Sequence, residues 1–342
     1  MRVSFVADSS AWGGAEVWLA HHLRRAEGSG VTASLVCSEP VAAGFAGLPV
    51  DRAVVPLTRH AAEAPAVRAA LTGQRPDVVV VNLVDPASNT AAVAAAQEVA
   101  PTVGVLHLVG DTRAGEERAA LVALYRRMAG VVSPSTEGRD QLVGELGVDP
   151  ARAHVVPNGA DVPPDPAGPA GHPVPRIGAL GRLTAQKGFD VLLAALRRLD
   201  VPFEAVIGGA GREEGALRAA AAGLPVTFPG WVGDARAFLA GLDLFVVSSR
   251  VEAGPLVLVE AMAEGLPCVS TDVGEVRRTA GEDVVVVPVD DAGALADAIG
   301  GLLADPARRA DLGVRARARA VRDLDAGLMA RRTYAVLRAA AG

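Results

Sequence analysis

The chain has 342 residues, half of them hydrophobic, and a formal net charge of −6. This length favours two domains of about 100–200 residues each, and the acidic balance argues against a nucleic-acid binder, which needs a basic face. No stretch approaches the roughly 18 apolar residues of a membrane helix, and the N-terminus MRVSFVAD lacks the apolar core of a signal peptide. Cys37 and Cys268 are far apart and show no metal-ligand spacing. We therefore expect a cytoplasmic protein with reduced thiols and no stable membrane insertion.

Short apolar runs alternate with helix-patterned segments along the first half of the chain. The predicted strands are Val3–Ala7, Ala33–Cys37, Val78–Val81, Val103–Leu106, Val131–Ser133 and Ala153–Val156. The predicted helices are Ala15–Glu27, Ala61–Leu71, Ser88–Val99, Glu116–Met128 and Glu137–Leu146. Continuous apolar strands that alternate with helices are typical of a parallel sheet covered on both faces.

Residues 161–175, DVPPDPAGPAGHPVP, interrupt this alternation and predict a linker, because prolines and glycines break helices and central strands. The alternation then restarts with strands Arg176–Leu180, Glu204–Ile207, Val226–Phe228, Leu244–Val247, Pro267–Ser270 and Val284–Val287. Helices are predicted at Phe189–Arg198, Glu213–Ala222, Asp234–Ala240, Pro255–Ala263, Ala292–Ala304, Arg308–Arg322 and Leu324–Ala341. Two doubly wound halves predict a ligand held in a cleft between the carboxyl edges of two sheets.

Two segments join a strand to a helix with residues suited to anions. Trp12-Gly13-Gly14-Ala15-Glu16 opens the first predicted helix, and its glycines let a ligand approach the backbone, although a plain glycine turn fits equally well. The segment 181–190, GRLTAQKGFD, carries Arg182 and Lys187 beside a helix N-terminus, an arrangement that suits a diphosphate. Lys187 is the one lysine among 33 basic residues, which indicates either a specific role or a random remnant.

Two further segments follow later strands. Gly208-Gly209-Ala210-Gly211 predicts either a tight turn or a ligand contact, since its spacing differs from a dinucleotide fingerprint. Glu252 and Glu260 lie eight residues apart, separated by a Gly-Pro turn and the start of an apolar helix. The amides near Leu256 and Val257 suit phosphate oxygens. A carboxylate on an apolar helix is costly without partners, and a ribose diol would satisfy Glu260.

The ordered motifs resemble those of retaining glycosyltransferase family 4, which has the GT-B fold. They are GGAE at 13–16, His107 closing a strand, VVPNGAD at 155–161, GRLTAQKGFD at 181–190, Glu252 with Glu260, and EAMAEGLPCVSTDVGE at 260–275. The resemblance implies two Rossmann-like α/β domains facing across a cleft, with the last helix returning to the N-terminal domain. We therefore expect an acceptor-side domain at 1–160, a linker at 161–175, a nucleotide-sugar domain at 176–322 and the returning helix at 323–342.

The resemblance also implies a role for each matched residue. Arg182 and Lys187 would hold the diphosphate, Glu252 would contact the donor sugar, and Glu260 would bind the ribose. The base would lie near Gly208, Gly209 and the loop Gly230-Trp231-Val232, and His107 would lie near the sugar hydroxyls or the reacting carbon. The expected catalytic residues are His107, Glu252, Arg182 and Lys187. The expected donor-binding residues are Gly13, Gly14, Arg182, Lys187, Gly208, Gly209, Val232, Gly254, Leu256, Val257 and Glu260.

The resemblance implies a retaining transfer of a hexose-type sugar from a UDP-linked donor, and the cations at the predicted site indicate that no metal is needed. Fixed cations and oriented amides would neutralise the departing diphosphate, and no D-x-D motif ends a predicted strand. The acceptor would be a small polar molecule, a glycan or a natural product, near Trp12, Glu16, Asp85, Asp111, Arg113 and Glu117. His107 would position groups without being an obligatory base, although it also fits a core histidine. We expect a monomer or weak homodimer.

Two other functions fit the same fold. A nucleotide-sugar epimerase or hydrolase would convert the donor without an acceptor, and a non-catalytic binder would hold it without turnover. The intact set of Arg182, Lys187, Glu252 and Glu260 favours the transferase.

Overall fold

The computed structural model describes residues 1–56 and 64–342, which divide into two compact units. Unit 1 comprises residues 1–158 and 326–342, and unit 2 comprises residues 159–325. Each unit contains one parallel sheet with helices, so both halves have the predicted Rossmann-like α/β architecture.

The sheet of unit 1 has seven parallel strands in the order β3-β2-β1-β4-β5-β6-β7. The strands are β1 Arg2–Ala7, β2 Thr32–Cys37, β3 Asp51–Val54, β4 Val78–Leu83, β5 Thr102–Leu106, β6 Gly130–Ser133 and β7 Ala153–Val155. The helices are α1 Gly14–Arg25, α2 Glu39–Ala42, α3 Ala64–Gln74, α4 Thr90–Gln97, α5 Gly115–Arg126 and α6 Thr136–Leu146. The first residues of the predicted helix Ala61–Leu71 lie outside the described residues. Strands β4, β5 and β6 are buried along their whole length, which explains their continuous apolar sequence.

The sheet of unit 2 has six parallel strands in the order β10-β9-β8-β11-β12-β13. These are β8 Arg176–Leu180, β9 Glu204–Gly208, β10 Val226–Thr227, β11 Leu244–Val247, β12 Cys268–Thr271 and β13 Val285–Val287. The helices are α7 Phe189–Leu196, α8 Glu214–Ala220, α9 Ala235–Ala240, α10 Leu256–Ala263, α11 Val276–Ala280, α12 Ala292–Ala304 and α13 Pro306–Asp323. Because all strands are parallel, the loops that follow them gather at one edge of the sheet, where ligands of such folds bind.

Residues 161–175, which the sequence indicates as a linker, belong to unit 2. The buried carboxylate of Asp243 accepts hydrogen bonds from the backbone of Gly171 at 2.6 Å and of Arg176 at 2.8 Å, and from the His172 ring at 2.8 Å. Glu264 accepts a further one from the backbone of Ala167 at 2.9 Å. These long-range bonds attach a segment that lacks helix and strand to the body of unit 2.

The last helix, α14 at Ala326–Ala341, belongs to unit 1, as the resemblance implies. The buried Tyr334 donates a hydrogen bond to the His22 carbonyl of α1 at 2.7 Å, and Arg338 donates one to the Ser29 carbonyl at 2.6 Å. Along residues 1–56 and 64–342, no helix combines the length and the apolar character that a membrane crossing requires.

The Asp243 cluster generates a stability prediction. Burial alone would raise the pKa of Asp243, but hydrogen bonds from Arg176, His172 and Gly171 outweigh it and hold the pKa below its usual value. The ionised carboxylate therefore stabilises the fold fully at neutral pH, and this contribution is lost only as the pH falls through the depressed pKa. We expect Asp243→Asn to lower the free energy of unfolding by about 1.5–3 kcal/mol at pH 7, as measured by urea denaturation. The exposed Asp200→Asn is the control, and equal stability of the two variants would contradict the prediction.

Candidate active site

Lys187 and Glu252 form an ion pair at the carboxyl edge of the unit 2 sheet. Lys187 ends a short turn after β8, and Glu252 lies on the loop after β11. The ammonium Nζ contacts Glu252 Oε1, and both side chains are largely buried. Ser249 Oγ donates to the same carboxylate oxygen at 2.9 Å. Lys187, predicted to bind the diphosphate, and Glu252, predicted to contact the sugar, are therefore in direct contact. The donors of Lys187 and Ser249 are both directed to Oε1 of Glu252.

Hydrogen bonds between the two loops hold this ion pair in place. The Arg250 backbone N–H donates to the Gln186 carbonyl at 2.7 Å, and the Gln186 amide donates to the Val251 carbonyl at 2.9 Å. Ser248 Oγ donates to the Lys187 carbonyl at 2.9 Å. The backbone around Lys187 and Glu252 is thereby fixed before any ligand arrives.

Arg250 supports this arrangement, although no role for it was predicted from the sequence. Its guanidinium binds Asp190 at the start of α7 and Asp290 after β13, each at 2.7 Å. It also donates to the Ala185 carbonyl at 2.6 Å. Hydrogen bonding to Asp190 raises the pKa of Arg250, and the same contact lowers the pKa of Asp190. The position of Arg250 between Ser249 and Glu252 was the available sequence signal, but its partners lie 40 and 60 residues away.

Gly208 and Gly209 lie where three backbone segments meet. A Cβ atom on Gly209 would lie 1.9 Å from the Gly181 carbonyl oxygen, and its φ of +131° also favours glycine. The Gly209 N–H donates to the Gly230 carbonyl at 2.8 Å, and a Cβ on Gly208 would lie 2.8 Å from the Val232 side chain. The predicted donor-binding residues Gly208, Gly209 and Val232 are therefore neighbours. The backbone contact at Gly209 fits the tight-turn interpretation.

The N-terminus of α10 is open to an anion. Pro255 precedes the helix, and within the described chain no side chain caps this end. The N–H groups of Leu256 and Val257 lie in the first turn, where a helix offers no internal acceptor. Gly254 adjoins this turn and is partly exposed. The first turn of α10, together with Glu252 on the preceding loop, can therefore contact a phosphate oxygen through the backbone.

Glu260 lies one turn farther along α10 and remains partly exposed. Burial, with a smaller contribution from Asp161, raises the pKa of Glu260 to about 7. Its carboxyl group therefore exchanges its proton near neutral pH, in contrast to an ordinary glutamate. The predicted ribose-binding residue Glu260 therefore lies on the helix that follows the Glu252 loop.

Arg182 differs from Lys187 in its surroundings. It follows β8, is exposed, and has no ion pair with any of the residues that the structure describes. The loop after β8 therefore carries two cations. Lys187 is paired with Glu252, whereas Arg182 is available to an anion.

In unit 1, four of the predicted acceptor residues make contacts within the protein itself. Glu16 is buried and accepts hydrogen bonds from Ser9 Oγ at 2.5 Å and from the Gly13 N–H at 2.8 Å, which caps α1. Trp12 packs edge-on against Phe45 with ring centroids 4.8 Å apart. The acidic candidates Asp85 and Asp111 accept hydrogen bonds from backbone N–H groups two residues ahead, which is a local turn.

His107 follows β5 at the carboxyl edge of the unit 1 sheet and is partly exposed. Burial lowers the pKa of its imidazole to about 4, so the ring is neutral at pH 7. Its Nε2 lies 3.0 Å from Oδ1 of Asn82, a buried residue on β4 for which no role was predicted from the sequence.

The glycines generate a paired prediction. Gly14 begins α1, and a Cβ there would meet no protein atom within 4 Å. We expect Gly14→Ala to fold with unchanged or slightly higher stability, because alanine favours a helix by about 1 kcal/mol over glycine. Gly209→Ala should lower the melting temperature, because its methyl group would overlap the Gly181 carbonyl. Thermal denaturation of both variants checks this, and a larger loss of stability in Gly14→Ala would contradict it.

Two family models match successive parts of the chain. The model described as Glycosyltransferase Family 4 matches residues 12–162, and the model described as Glycosyl transferases group 1 matches residues 174–305. The lipopolysaccharide core biosynthesis glycosyltransferase LpsE of Rhizobium meliloti is 36% identical over 153 residues, covering 43% of this chain and 44% of that protein. The phosphatidyl-myo-inositol mannosyltransferase of Mycobacterium leprae is 36% identical over 221 residues, covering 60% and 58%. The chain thus matches about half the length of these relatives.

Solved structures resemble the whole chain. The crystal structure of HepE from Anabaena in complex with UDP and glucose has a TM-score of 0.82 at 19% identity and covers 99% of both chains. Sucrose-phosphate synthase from Thermosynechococcus elongatus has a TM-score of 0.79 at 19% identity, covering 99% of this chain and 98% of that one. At this identity the likeness concerns the fold. Together, the family models over both units and the two parallel sheets show that the chain belongs to glycosyltransferase family 4 and has the GT-B fold.

Proposed function

We propose that this chain transfers a hexose-type sugar from a UDP-linked donor to a small polar, glycan or natural-product acceptor, with retention of the anomeric configuration and without a metal. The observation that carries the proposal is the Lys187–Glu252 ion pair beside the open N-terminus of α10. The UDP and glucose bound to HepE support the choice of nucleotide and sugar.

The reaction breaks the bond between the anomeric carbon and the diphosphate, so negative charge develops on the leaving group. Lys187, Arg182 and the first-turn amides of α10 are the groups that would stabilise this charge. An ammonium has three N–H donors, so Lys187 can bind a phosphate oxygen while it keeps its contact with Glu252. Removal of one such preorganised donor typically lowers the rate by about 10²–10³-fold.

Glu252 would bind the donor sugar through its second carboxylate oxygen. Lys187 and Ser249 both contact Oε1, and the described residues direct no donor to Oε2. A carboxylate oxygen without a donor suits a sugar hydroxyl, which supplies an O–H. The contact with Lys187 would then link the position of the sugar to that of the diphosphate.

Fixed cations support a reaction without a metal, because they can neutralise the diphosphate directly. In the retaining reaction we propose, the acceptor attacks from the face that the leaving group departs from, and the departing phosphate takes the acceptor's proton.

His107 would position a substrate group, since its low pKa makes the neutral ring the working form.

We expect Lys187→Ala to abolish most of the thermal stabilisation by UDP and UDP-glucose, because it removes a buried cation from the diphosphate site. For the native protein, ligand at 100 times its Kd should stabilise by about 2.7 kcal/mol. Each melting temperature is compared with that of the same variant without ligand, with and without EDTA, and the exposed Arg198→Ala is the matched control.

Full stabilisation of Lys187→Ala, or loss of the native shift in EDTA, would contradict the proposal. Incubation of UDP-glucose with an acceptor panel then separates the functions: transfer yields a glycoside whose anomeric configuration NMR identifies. Release of free glucose with every acceptor would instead indicate a hydrolase.

The pKa of Glu260 generates a pH prediction. Below pH 7 this carboxyl is largely protonated, and above pH 7 it is ionised and accepts hydrogen bonds from a ribose diol more strongly. We therefore expect affinity for UDP-glucose to increase as the pH rises from 6 to 8, with proton release on binding. Calorimetry in two buffers of different ionisation enthalpy measures both quantities. Glu260→Gln should bind more weakly and without this pH dependence, whereas a native affinity that stays constant over this range would contradict the ribose role.

A further inference from the structure

Asn82 and His107 form a hydrogen-bonded pair at the carboxyl edge of the unit 1 sheet. Asn82 lies near the end of β4 and is 4% exposed, and His107 follows the neighbouring β5. The His107 backbone N–H donates to the Leu83 carbonyl at 2.9 Å, which continues the ladder between the two strands. Asn82 Oδ1 lies 3.0 Å from His107 Nε2, and Asn82 Nδ2 lies 3.0 Å from the Ala15 carbonyl in α1.

The Ala15 carbonyl determines the direction of this chain of hydrogen bonds. A carbonyl oxygen only accepts, so the NH2 group of Asn82 must face Ala15, and its Oδ1 must face the histidine. Oδ1 also only accepts, so His107 Nε2 must carry a proton. Burial keeps the ring neutral at pH 7, which leaves Nδ1 without a proton and with its lone pair available.

Further contacts hold Asn82 and the ring in this arrangement. Asn89 donates from Nδ2 to the Asn82 carbonyl at 2.7 Å and to the Asp8 carbonyl at 3.1 Å, which ties β4 to the segment after β1. The Trp18 ring packs edge-on against His107 with centroids 5.6 Å apart. A rotation of the imidazole would break the Asn82 bond and disturb this packing. Nε2 therefore stays directed at Asn82, and Nδ1 stays on the other side of the ring.

We infer that Asn82 is a positioning residue that holds His107 as the Nε2–H tautomer, so that Nδ1 meets the substrate as a hydrogen-bond acceptor. This rests on the proposed function. Among the residues that the structure describes, none donates to Nδ1, so its lone pair is available to a hydroxyl proton. A substrate carboxylate at the same place would face a lone pair without a proton between them. The pair therefore selects a polyhydroxylated substrate over one that carries a carboxylate there, such as a uronic acid.

The tautomer can be observed without turnover. In full-length protein with 15N-labelled histidine, long-range 1H–15N correlation spectra at pH 7 distinguish Nε2–H from Nδ1–H rings, and the His107 signals are those missing from His107→Gln. We expect the Nε2–H tautomer in the native protein. A native Nδ1–H ring would overturn the inference whatever the variants show.

Two Asn82 variants test its role. Asn82→Ala removes the acceptor, so the Nδ1–H form should become populated, whereas Asn82→Gln retains both an amide oxygen and an NH2 group and should keep Nε2–H. His154 on β7 is the internal control and should keep its signals in both variants. An unchanged His107 tautomer in folded Asn82→Ala would overturn the inference, and the native spectrum remains decisive if that variant does not fold.

Kinetics separate this inference from the proposed function. With UDP-glucose and an accepted substrate, Asn82→Ala should lower kcat/KM by about tenfold, the size of one hydrogen bond. It should also reduce the preference for UDP-glucose over UDP-glucuronic acid, which a merely structural role would leave unchanged. Nε2–H without any transfer would refute the proposed function alone, and transfer with the Nδ1–H ring would refute this inference alone.

Discussion

The buried contact between Lys187 and Glu252 is the interaction on which the rest of the candidate site depends. Each charge would be costly in this environment without the other, and removing one partner from such a pair typically costs about 3–5 kcal/mol. The contact also places a cation and a carboxylate oxygen at fixed positions on neighbouring loops. Ser249 orients the carboxylate, and Arg250 with its two aspartates holds the loops that carry both charges.

Close backbone packing makes this arrangement possible. Gly209 lies against the Gly181 carbonyl, and Gly188, with a φ of +60°, would place a Cβ 2.0 Å from the Ser248 carbonyl oxygen. A side chain at either position would separate the loops after β8, β9 and β11. The loops bring cations and helix amides together only because these glycines leave room for the backbone.

The two units use different chemistry at corresponding edges of their sheets. In unit 2 the side chains are charged, which suits a diphosphate. In unit 1 the Asn82–His107 pair is held by hydrogen bonds, and the imidazole is neutral at pH 7. Neutral groups with fixed donor and acceptor positions suit hydroxyl groups, which differ from one another in geometry more than in charge.

Most of the fold was predictable because its central strands β4, β5, β6, β11 and β12 are buried along their whole length and therefore largely apolar. Strand β3, with the sequence DRAV, was missed because it is a largely exposed edge strand without that pattern. The short helices α2 and α11 were missed because four or five residues contain too little periodicity to recognise. The attachment of residues 161–175 to unit 2 depends on Asp243, about 70 residues farther along the chain.

The sequence by itself determined the two parallel sheets, the glycine turns before helices, and the candidate roles of Arg182, Lys187, Glu252 and Glu260. Only the tertiary structure decided that Lys187 is paired with Glu252, that Glu16 caps its own helix, and that Asn82 directs an oxygen at His107. The physical reason is the range of the contacts. Apolar periodicity and turn chemistry act over a few neighbouring residues, whereas the Lys187–Glu252 pair and the Asn82–Ala15 hydrogen bond join residues 65 and 67 positions apart.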